Sequence, residues 1–219
     1  MSEVELKAVL FDFDGTLVDS EPVYTAVFNK WMWERGISFE QQEQVNTLIQ
    51  PGITWHDCLY IMSTVTQQPV DYAKDQAELE QAIQSYVMEV GAPLKDGVLR
   101  ALGLLAERYK LAIVSSSPRN VIDCILQHHR MADYFSLITA GNDVQYPKPH
   151  PEPYVKTLKA LKLKPEQAVA LEDSLPGGQS AAAAGIFTYV WPDPHLRAEQ
   201  FASFAKVVYS FDELLKDIL

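Results

Sequence analysis

The sequence predicts an α/β fold: a doubly wound, parallel, Rossmann-like sheet that carries an inserted α-helical domain. Three observations lead there. Apolar runs ending in polar groups alternate with amphipathic helical stretches from Gly91 onward, which is the pattern of a parallel sheet with crossover helices. An apolar run of the same kind, Ala8 to Phe11, opens the chain and belongs to the same sheet. Between the two lies a zone, from about Pro22 to Val90, with helical periodicity and no convincing strand.

Taken in order, Ala8 to Phe11 reads as a strand buried on both faces. Asp12 and Asp14 follow it two residues apart, and Gly15 breaks the strand at once. Residues two apart share one face, so the carboxylates would lie close. Like charges at that distance are costly unless something binds them. A divalent cation, with its preference for hard carboxylate oxygens, is the usual solution. Residues 22–35 are helical in pattern, with Val23, Val27, Phe28 and Trp31 at helical spacing and Gly36 as the stop. Residues 53–65 and 72–90 follow the same logic. Strands are then expected at 110–115, 137–140, 168–171, 186–190 and 206–209, and helices at 97–108, 118–129, 153–162 and 175–184. The expected organisation is a core domain of residues 1–18 and 92–219 with a helical domain of residues 19–91 inserted. Ala181 to Ala184 form a small-residue face suited to close helix–sheet packing. There is no internal repeat.

Composition sets the limits on function. At 219 residues and 47% hydrophobic content the chain can bury a sizeable core. A formal net charge of −11 argues against nucleic acid or an anionic membrane as partner. No apolar stretch is long enough to span a bilayer, and the acidic start does not resemble a signal peptide. Cys58 and Cys124 lack metal-ligand spacing and read as buried thiols of a cytoplasmic protein, expected to be a monomer.

Four segments carry the chemistry. The first is Asp12 to Thr16. The second, Lys110 to Pro118, is an apolar run ending in Ser115, Ser116 and Ser117. The third is a proline-stiffened loop around Lys148. The fourth, Ala168 to Gly178, is an apolar run ending in Glu172, Asp173 and Ser174. In open α/β sheets ligands bind outside the carboxyl ends of the strands. Parallel strands would therefore bring Asp12, Asp14, Ser115, Glu172 and Asp173 to one edge, where Lys148 can join them. Carboxylates, a hydroxyl, a lysine and a metal are what phosphoryl transfer needs, because it asks mainly for positioning and charge neutralisation. A carboxylate can attack phosphorus, and Asp12, which ends the strand directly, is the better placed nucleophile. Asp14 would then be general acid to the leaving alcohol and later base to water.

This set and order of motifs resembles the haloacid dehalogenase superfamily over nearly the whole chain. The residues that carry it are the D-x-D-G-T of Asp12 to Thr16, Ser115 at a strand end, Lys148 in K-P-H-P, and the E-D-S of Glu172 to Ser174. Within the superfamily the chain looks like the branch holding β-phosphoglucomutase, sugar-phosphate phosphatases and phosphoglycolate phosphatase. The resemblance implies that the helical insertion is a cap of the C1 type and that the cofactor is Mg²⁺. It places the metal on Asp12, the backbone carbonyl of Asp14, and Asp173, with Glu172 in or near the shell. Ser115 and Lys148 would hold phosphate oxygens. Thr16 and Ser116 would add hydrogen bonds, or serve only as ordinary turn and cap hydroxyls.

Departures from relatives narrow the reaction. Dehalogenases of the superfamily lack the second aspartate and phosphonatases replace it with alanine, so the presence of Asp14 points to a phosphatase. β-Phosphoglucomutase carries a cap histidine and a cap arginine where this chain has Tyr24 and Trp55. Loss of the arginine removes a bidentate phosphate grip, which makes the mutase the runner-up. Tyr24 and Trp55 are expected to contact a neutral sugar or polyol, as in hexose or hexitol phosphates. Residues 141–145 are similar to phosphoglycolate phosphatase, whereas E-D-S is less so. An idle binding protein is the reading from another class, and intact Asp12, Asp14, Lys148 and Asp173 weigh against it. Trp31, Trp33 and Trp55 read mostly as cap core, His128 and His129 as structural, and His150 as a helix-entry residue.

Overall fold

The structure, a computed structural model, describes residues 5–49 and 53–219. Six strands form one sheet: β1 (Ala8–Phe11), β2 (Lys110–Val114), β3 (Phe135–Thr139), β4 (Ala168–Glu172), β5 (Phe187–Val190) and β6 (Ala205–Val207). Their order is β3-β2-β1-β4-β5-β6, and every neighbouring pair is parallel. β1 lies between β2 and β4, with Phe11 in register with Ile113 on one side and Leu171 on the other. Parallel register carries the next residue of each strand to the same level. Asp12, Val114 and Glu172 therefore leave the sheet side by side.

Nine helices accompany the strands among the described residues: α1 (Glu21–Glu34), α2 (Phe39–Leu48), α3 (Trp55–Thr66), α4 (Tyr72–Glu89), α5 (Val98–Ala106), α6 (Arg119–His128), α7 (Glu152–Leu161), α8 (Leu175–Ala183) and α9 (Phe211–Ile218). α1 to α4 make up the insertion between β1 and the rest of the sheet. The alternation along β1 divides the core. Val9 and Phe11 pack into the larger cluster, which includes buried residues of α1, α3 and α4. Ala8 and Leu10 pack on the other face with Tyr154, Leu158 and Ala181. Burial on both faces is what the unbroken apolar run required.

The expected elements are present within a few residues, and two more accompany them. α2 was not anticipated because only Gln42 and Val45 of its ten residues are buried, which leaves little periodic signal. Its trace in the sequence is the Ser38–Gln41 capping box, with each side chain bonded to the other's backbone N–H. α9 follows Ser210, whose side chain accepts from Glu213 N, and buries Phe211, Leu214 and Leu215. β3 begins two residues earlier than expected, at Phe135.

Candidate active site

Asp12 is fixed by the sheet itself: its backbone N–H donates to Leu171 O at 2.9 Å, so the chain leaves β1 still bonded to β4. The side chain is buried. The tight loop that follows turns at Gly15, whose φ of +76° lies in the left-handed region. A Cβ there would also stand 1.9 Å from Asp173 Oδ2, so glycine is required by close approach as well as by backbone. The loop is closed by Gly15 N to Val18 O at 2.7 Å, and Val18 bridges to Leu94 on the far side of the insertion.

Lys148 arrives from the loop before α7. Its ammonium donates to Asp12 Oδ1 at 2.6 Å, Glu172 Oε1 at 2.7 Å and Val114 O at 2.8 Å. The loop is anchored on both sides. The Glu152 carboxylate accepts from Gln145 N and Tyr146 N, each at 2.9 Å, and Ser180 Oγ donates to His150 O at 2.6 Å. Tyr154, fully buried beneath, donates its hydroxyl to Glu172 Oε1 as well. Glu172 Oε2 is buried and has no hydrogen-bond partner. It packs on Gly177, where a Cβ would come within 1.9 Å of it.

The electrostatics follow from three neighbouring buried carboxylates, of which Asp12 and Glu172 pair with the one ammonium of Lys148. Burial pushes Asp12 up to about 8 against the pull of Lys148, with Glu172 and Asp14 adding to the push. Burial also drives Asp173 well above the usual carboxylate range, helped by Asp12 and Glu172. Burial alone would lower Lys148, but the charges of Asp12 and Glu172 outweigh it and hold the ammonium above its usual range. Three negative charges are thus too costly in this dry site, and without a cation the cluster retains protons on Asp12 and Asp173 instead. Asp12, Glu172 and Asp173 offer ligand atoms within 4.8 Å of one another. With the unpartnered oxygen of Glu172 beside them, this donor set fits a hard divalent cation. The side chain of Asp14 is not part of the cluster.

Asp14 faces hydroxyls instead. Ser20 Oγ and Tyr24 Oη donate to Oδ1 at 2.7 and 2.6 Å. Ser117 Oγ donates to Oδ2 at 2.6 Å, and Ser115 Oγ reaches the same oxygen at 3.3 Å. Ser115 is buried and also accepts from Ser117 N at 2.9 Å, whereas Ser116 and Ser117 line the cavity. This serine loop is clamped by the chain after β3. Gly141 N donates to Ser117 O at 2.9 Å, and a Cβ on Gly141 would lie 2.1 Å from Ser116 O. Thr16 is buried, its hydroxyl is unpartnered, and it does not reach the cavity wall.

The cavity, of about 470 Å³, lies between the sheet edge and the insertion. Trp55 lines it and meets Tyr24 edge-on at 5.5 Å. Tyr24 lines it too, but its hydroxyl is committed to Asp14 rather than open to a ligand. Burial and the charge of Asp14 keep that phenol protonated, well above its usual range. Sequence reasoning missed Ser117, Tyr154 and Lys95. Ser117 was visible as the third serine of its run; Tyr154 and Lys95 carried no signal without the fold. Of the tryptophans, Trp31 is buried but Trp33 is 67% exposed, so it is not part of the insertion's core. Cys58 lines the cavity, and burial pushes its thiol up to about 12, which leaves it unreactive. Cys124 is only half-buried, not buried as expected. His150 Nδ1 accepts from Glu152 N at the start of α7, and His129 Nε2 meets Ala92 O at 2.7 Å; both roles are structural. No helix among the described residues is long and apolar enough to cross a membrane.

Residues 9–191 match the family described as haloacid dehalogenase-like hydrolase. The chain is 31% identical over 209 residues to Protein CbbY of Rhodobacter capsulatus, covering 91% of each chain. It is 32% identical over 198 residues to phosphoglycolate phosphatase of Salmonella typhimurium, covering 82% of this chain and 79% of that one. Among solved structures, a CbbY mutant from Rhodobacter sphaeroides in complex with xylulose-(1,5)-bisphosphate is similar at a TM-score of 0.80 and 25% identity. That match covers 95% of this chain and 96% of the other.

Proposed function

This chain belongs to the haloacid dehalogenase-like hydrolase family, and on that premise we propose that it is a Mg²⁺-dependent phosphatase of small sugar or sugar-alcohol phosphates. It is a phosphoric monoester hydrolase that works through an aspartyl-phosphate. The observation that carries this reading is the division of labour between the two aspartates. Asp12 is gripped by Lys148 at 2.6 Å within the acidic cluster, and Asp14 is held apart by hydroxyls. Two carboxylates in unlike surroundings are suited to unlike roles.

In the first step Asp12 attacks phosphorus, the bond to the leaving oxygen breaks with its electron pair on that oxygen, and Asp14 supplies the proton that makes it an alcohol. In the second, water attacks the aspartyl-phosphate, Asp14 takes its proton, and the bond to Asp12 breaks to give phosphate and the free carboxylate. Lys148 offsets charge on the transferring group and orients Asp12. Mg²⁺ would be held by Asp12 and Asp173, with Glu172 beside them, and would supply further charge neutralisation. The insertion acts as a cap that excludes water and contacts the organic part.

The insertion's share of the cavity wall, with Asp19, Glu21, Phe28, Asn46, Thr54 and Trp55, includes no lysine or arginine among the described residues. That favours a neutral polyol against it and disfavours a mutase, which must grip a bisphosphate in both orientations. A second reading, a substrate with a second anionic group, rests on Lys95. It lines the cavity, makes no ion pair among the described residues, and sits 4.8 Å over the Trp191 ring. The named ligands of the relatives, phosphoglycolate and xylulose bisphosphate, would supply such a group.

Phosphate release should be screened over hexose 6-phosphates, hexitol phosphates, phosphoglycolate and a ketose bisphosphate. Activity should vanish in chelator and return with Mg²⁺. Mass spectrometry of acid-quenched enzyme should place phosphate on Asp12. Turnover in chelator, or phosphate on another residue, sinks the mechanism. Efficient conversion of β-glucose 1-phosphate to glucose 6-phosphate with a bisphosphate primer would favour the mutase instead.

A further inference from the structure

Tyr24 is placed to act on the acid rather than on the substrate. It stands in the first turn of α1, and α1 to α4 contribute no other side chain to the hydrogen bonds of Asp14. Its hydroxyl hydrogen goes to Asp14 Oδ1 at 2.6 Å, and its oxygen lies 3.2 Å from Ser117 Oγ, which itself donates to Oδ2. Ser20 supplies a second donor to Oδ1 from the residue just before α1. The carboxylate is thereby spanned by the loop after β1, the loop after β2 and the insertion. A phenol that has spent its hydrogen on Asp14 offers a sugar nothing but an acceptor and a ring edge, and that ring is packed edge-on against Trp55.

We propose that Tyr24 is a positioning residue for Asp14: its hydroxyl, the one that α1 to α4 bring to this carboxylate, acts with Ser20 to set the geometry from which Asp14 protonates the leaving oxygen. The inference rests on the reading of Asp14 as general acid. Misplacement of a catalytic group by about 1 Å is enough to cost on the order of 10²-fold.

The test compares Tyr24→Phe and Asp14→Asn on a hexose 6-phosphate and on p-nitrophenyl phosphate, whose leaving group needs little acid help. Thermal melts serve to verify the fold. Tyr24→Phe should lose roughly tenfold or more in kcat on the sugar phosphate, the scale of one hydrogen bond to a charged group, with KM nearly unchanged and a much smaller loss on the aryl ester. In an Asp14→Asn background the same change should add little, because interacting residues are not additive. A rise in KM with kcat intact would make Tyr24 a substrate contact and overturn the proposal. So would equal losses on both esters, or a full effect in the Asp14→Asn background. Equal losses on both esters by Asp14→Asn itself would instead remove the acid reading, and the proposal with it. Should Tyr24→Phe not fold, Ser20→Ala, which removes the other donor to the same oxygen, must show the same leaving-group selectivity for the proposal to stand.

Discussion

The carboxyl edge of the sheet and the helical insertion face each other across one cavity, and they are built on opposite terms. At the edge the polar groups are buried and bonded to one another, Asp12 and Glu172 set by strand register and Lys148 by an anchored loop, in a chain of contacts of 2.6 and 2.7 Å. In the insertion the cavity wall is mostly aromatic and apolar surface with an amide, a few hydroxyls and the carboxylates of Asp19 and Glu21 at its start. A cluster of buried carboxylates at a cavity wall has no packing excuse, unlike the lone buried Asp75 paired with Arg35, so it signals function. A half-buried tryptophan can be core, wall or both. The edge therefore supports sharp predictions about chemistry, and the insertion supports only graded ones about selectivity.

The largest expected effect lies at the edge. Asp12→Asn should lower turnover by at least about 10³-fold, because an amide is a far weaker nucleophile. The melting temperature of the metal-free protein should not fall, because Lys148 keeps its ion pair with Glu172 while the buried cluster loses one of three neighbouring carboxylates. Substantial turnover by a variant verified free of deamidation would break the contrast at its strongest point.

Next come two glycines, one from each region. Gly177→Ala would place a Cβ 1.9 Å from Glu172 Oε2. Overpacking of that kind costs about 1–3 kcal/mol, or roughly 2–12 °C in Tm for a chain of this size. Mg²⁺ affinity measured by calorimetry should drop with it. Gly36, after α1, has a φ of +74° and open space around it. Gly36→Ala should cost about 1–2 kcal/mol through backbone strain alone and leave Mg²⁺ affinity unchanged. Equal effects of the two changes on Mg²⁺ would erase the distinction between the regions.

A smaller effect concerns pH without metal. The folded state holds a proton on Asp12 up to about 8 and raises Asp173 as well, whereas in the unfolded chain both titrate near 3.9. Between those values the native state binds more protons, so stability falls as pH rises. Metal-free enzyme should therefore melt several degrees lower at pH 8 than at pH 6, and Mg²⁺ should reverse the trend. A metal-free Tm that rises over that interval would mean the cluster is not the strained assembly described above.

Legibility divided along the same line. The sheet and its edge could be read because each strand announces itself twice, by an apolar run and by the polar residue that ends it. Asp12, Glu172 and Asp173 were found that way, Lys148 by the proline-stiffened loop that carries it, and they converge. What could not be read was partnership. Nothing in the spacing says that the Tyr24 hydroxyl turns to Asp14, that Tyr154 clamps Glu172 from α7, or that Lys95 reaches the cavity. Each depends on how elements distant in sequence pack. α2 escaped for a different reason: a helix with two buried residues in ten has almost no period to detect.

The smallest expected effect tests the insertion as a selectivity surface. Trp55 lines the cavity and braces both Tyr24 and Phe28, with ring centroids 5.5 and 6.0 Å away. Its face suits the C–H face of a sugar, and aromatic contacts of this kind are worth about 0.5–1.5 kcal/mol, roughly 2–13-fold in affinity. Trp55→Ala should raise KM for a sugar phosphate by about that factor and spare p-nitrophenyl phosphate. Because Trp55 also supports Tyr24, a modest fall in kcat on the sugar phosphate should accompany the rise in KM. The same variant discriminates the two substrate readings. If an anionic group held by Lys95 dominates binding, Trp55→Ala will change KM very little and Lys95→Met will change it much. If a polyol against the insertion dominates, the order reverses. A large loss on both ester classes from Trp55→Ala would show the aromatic cluster to be scaffold, and selectivity would then have to come from the core side of the cavity.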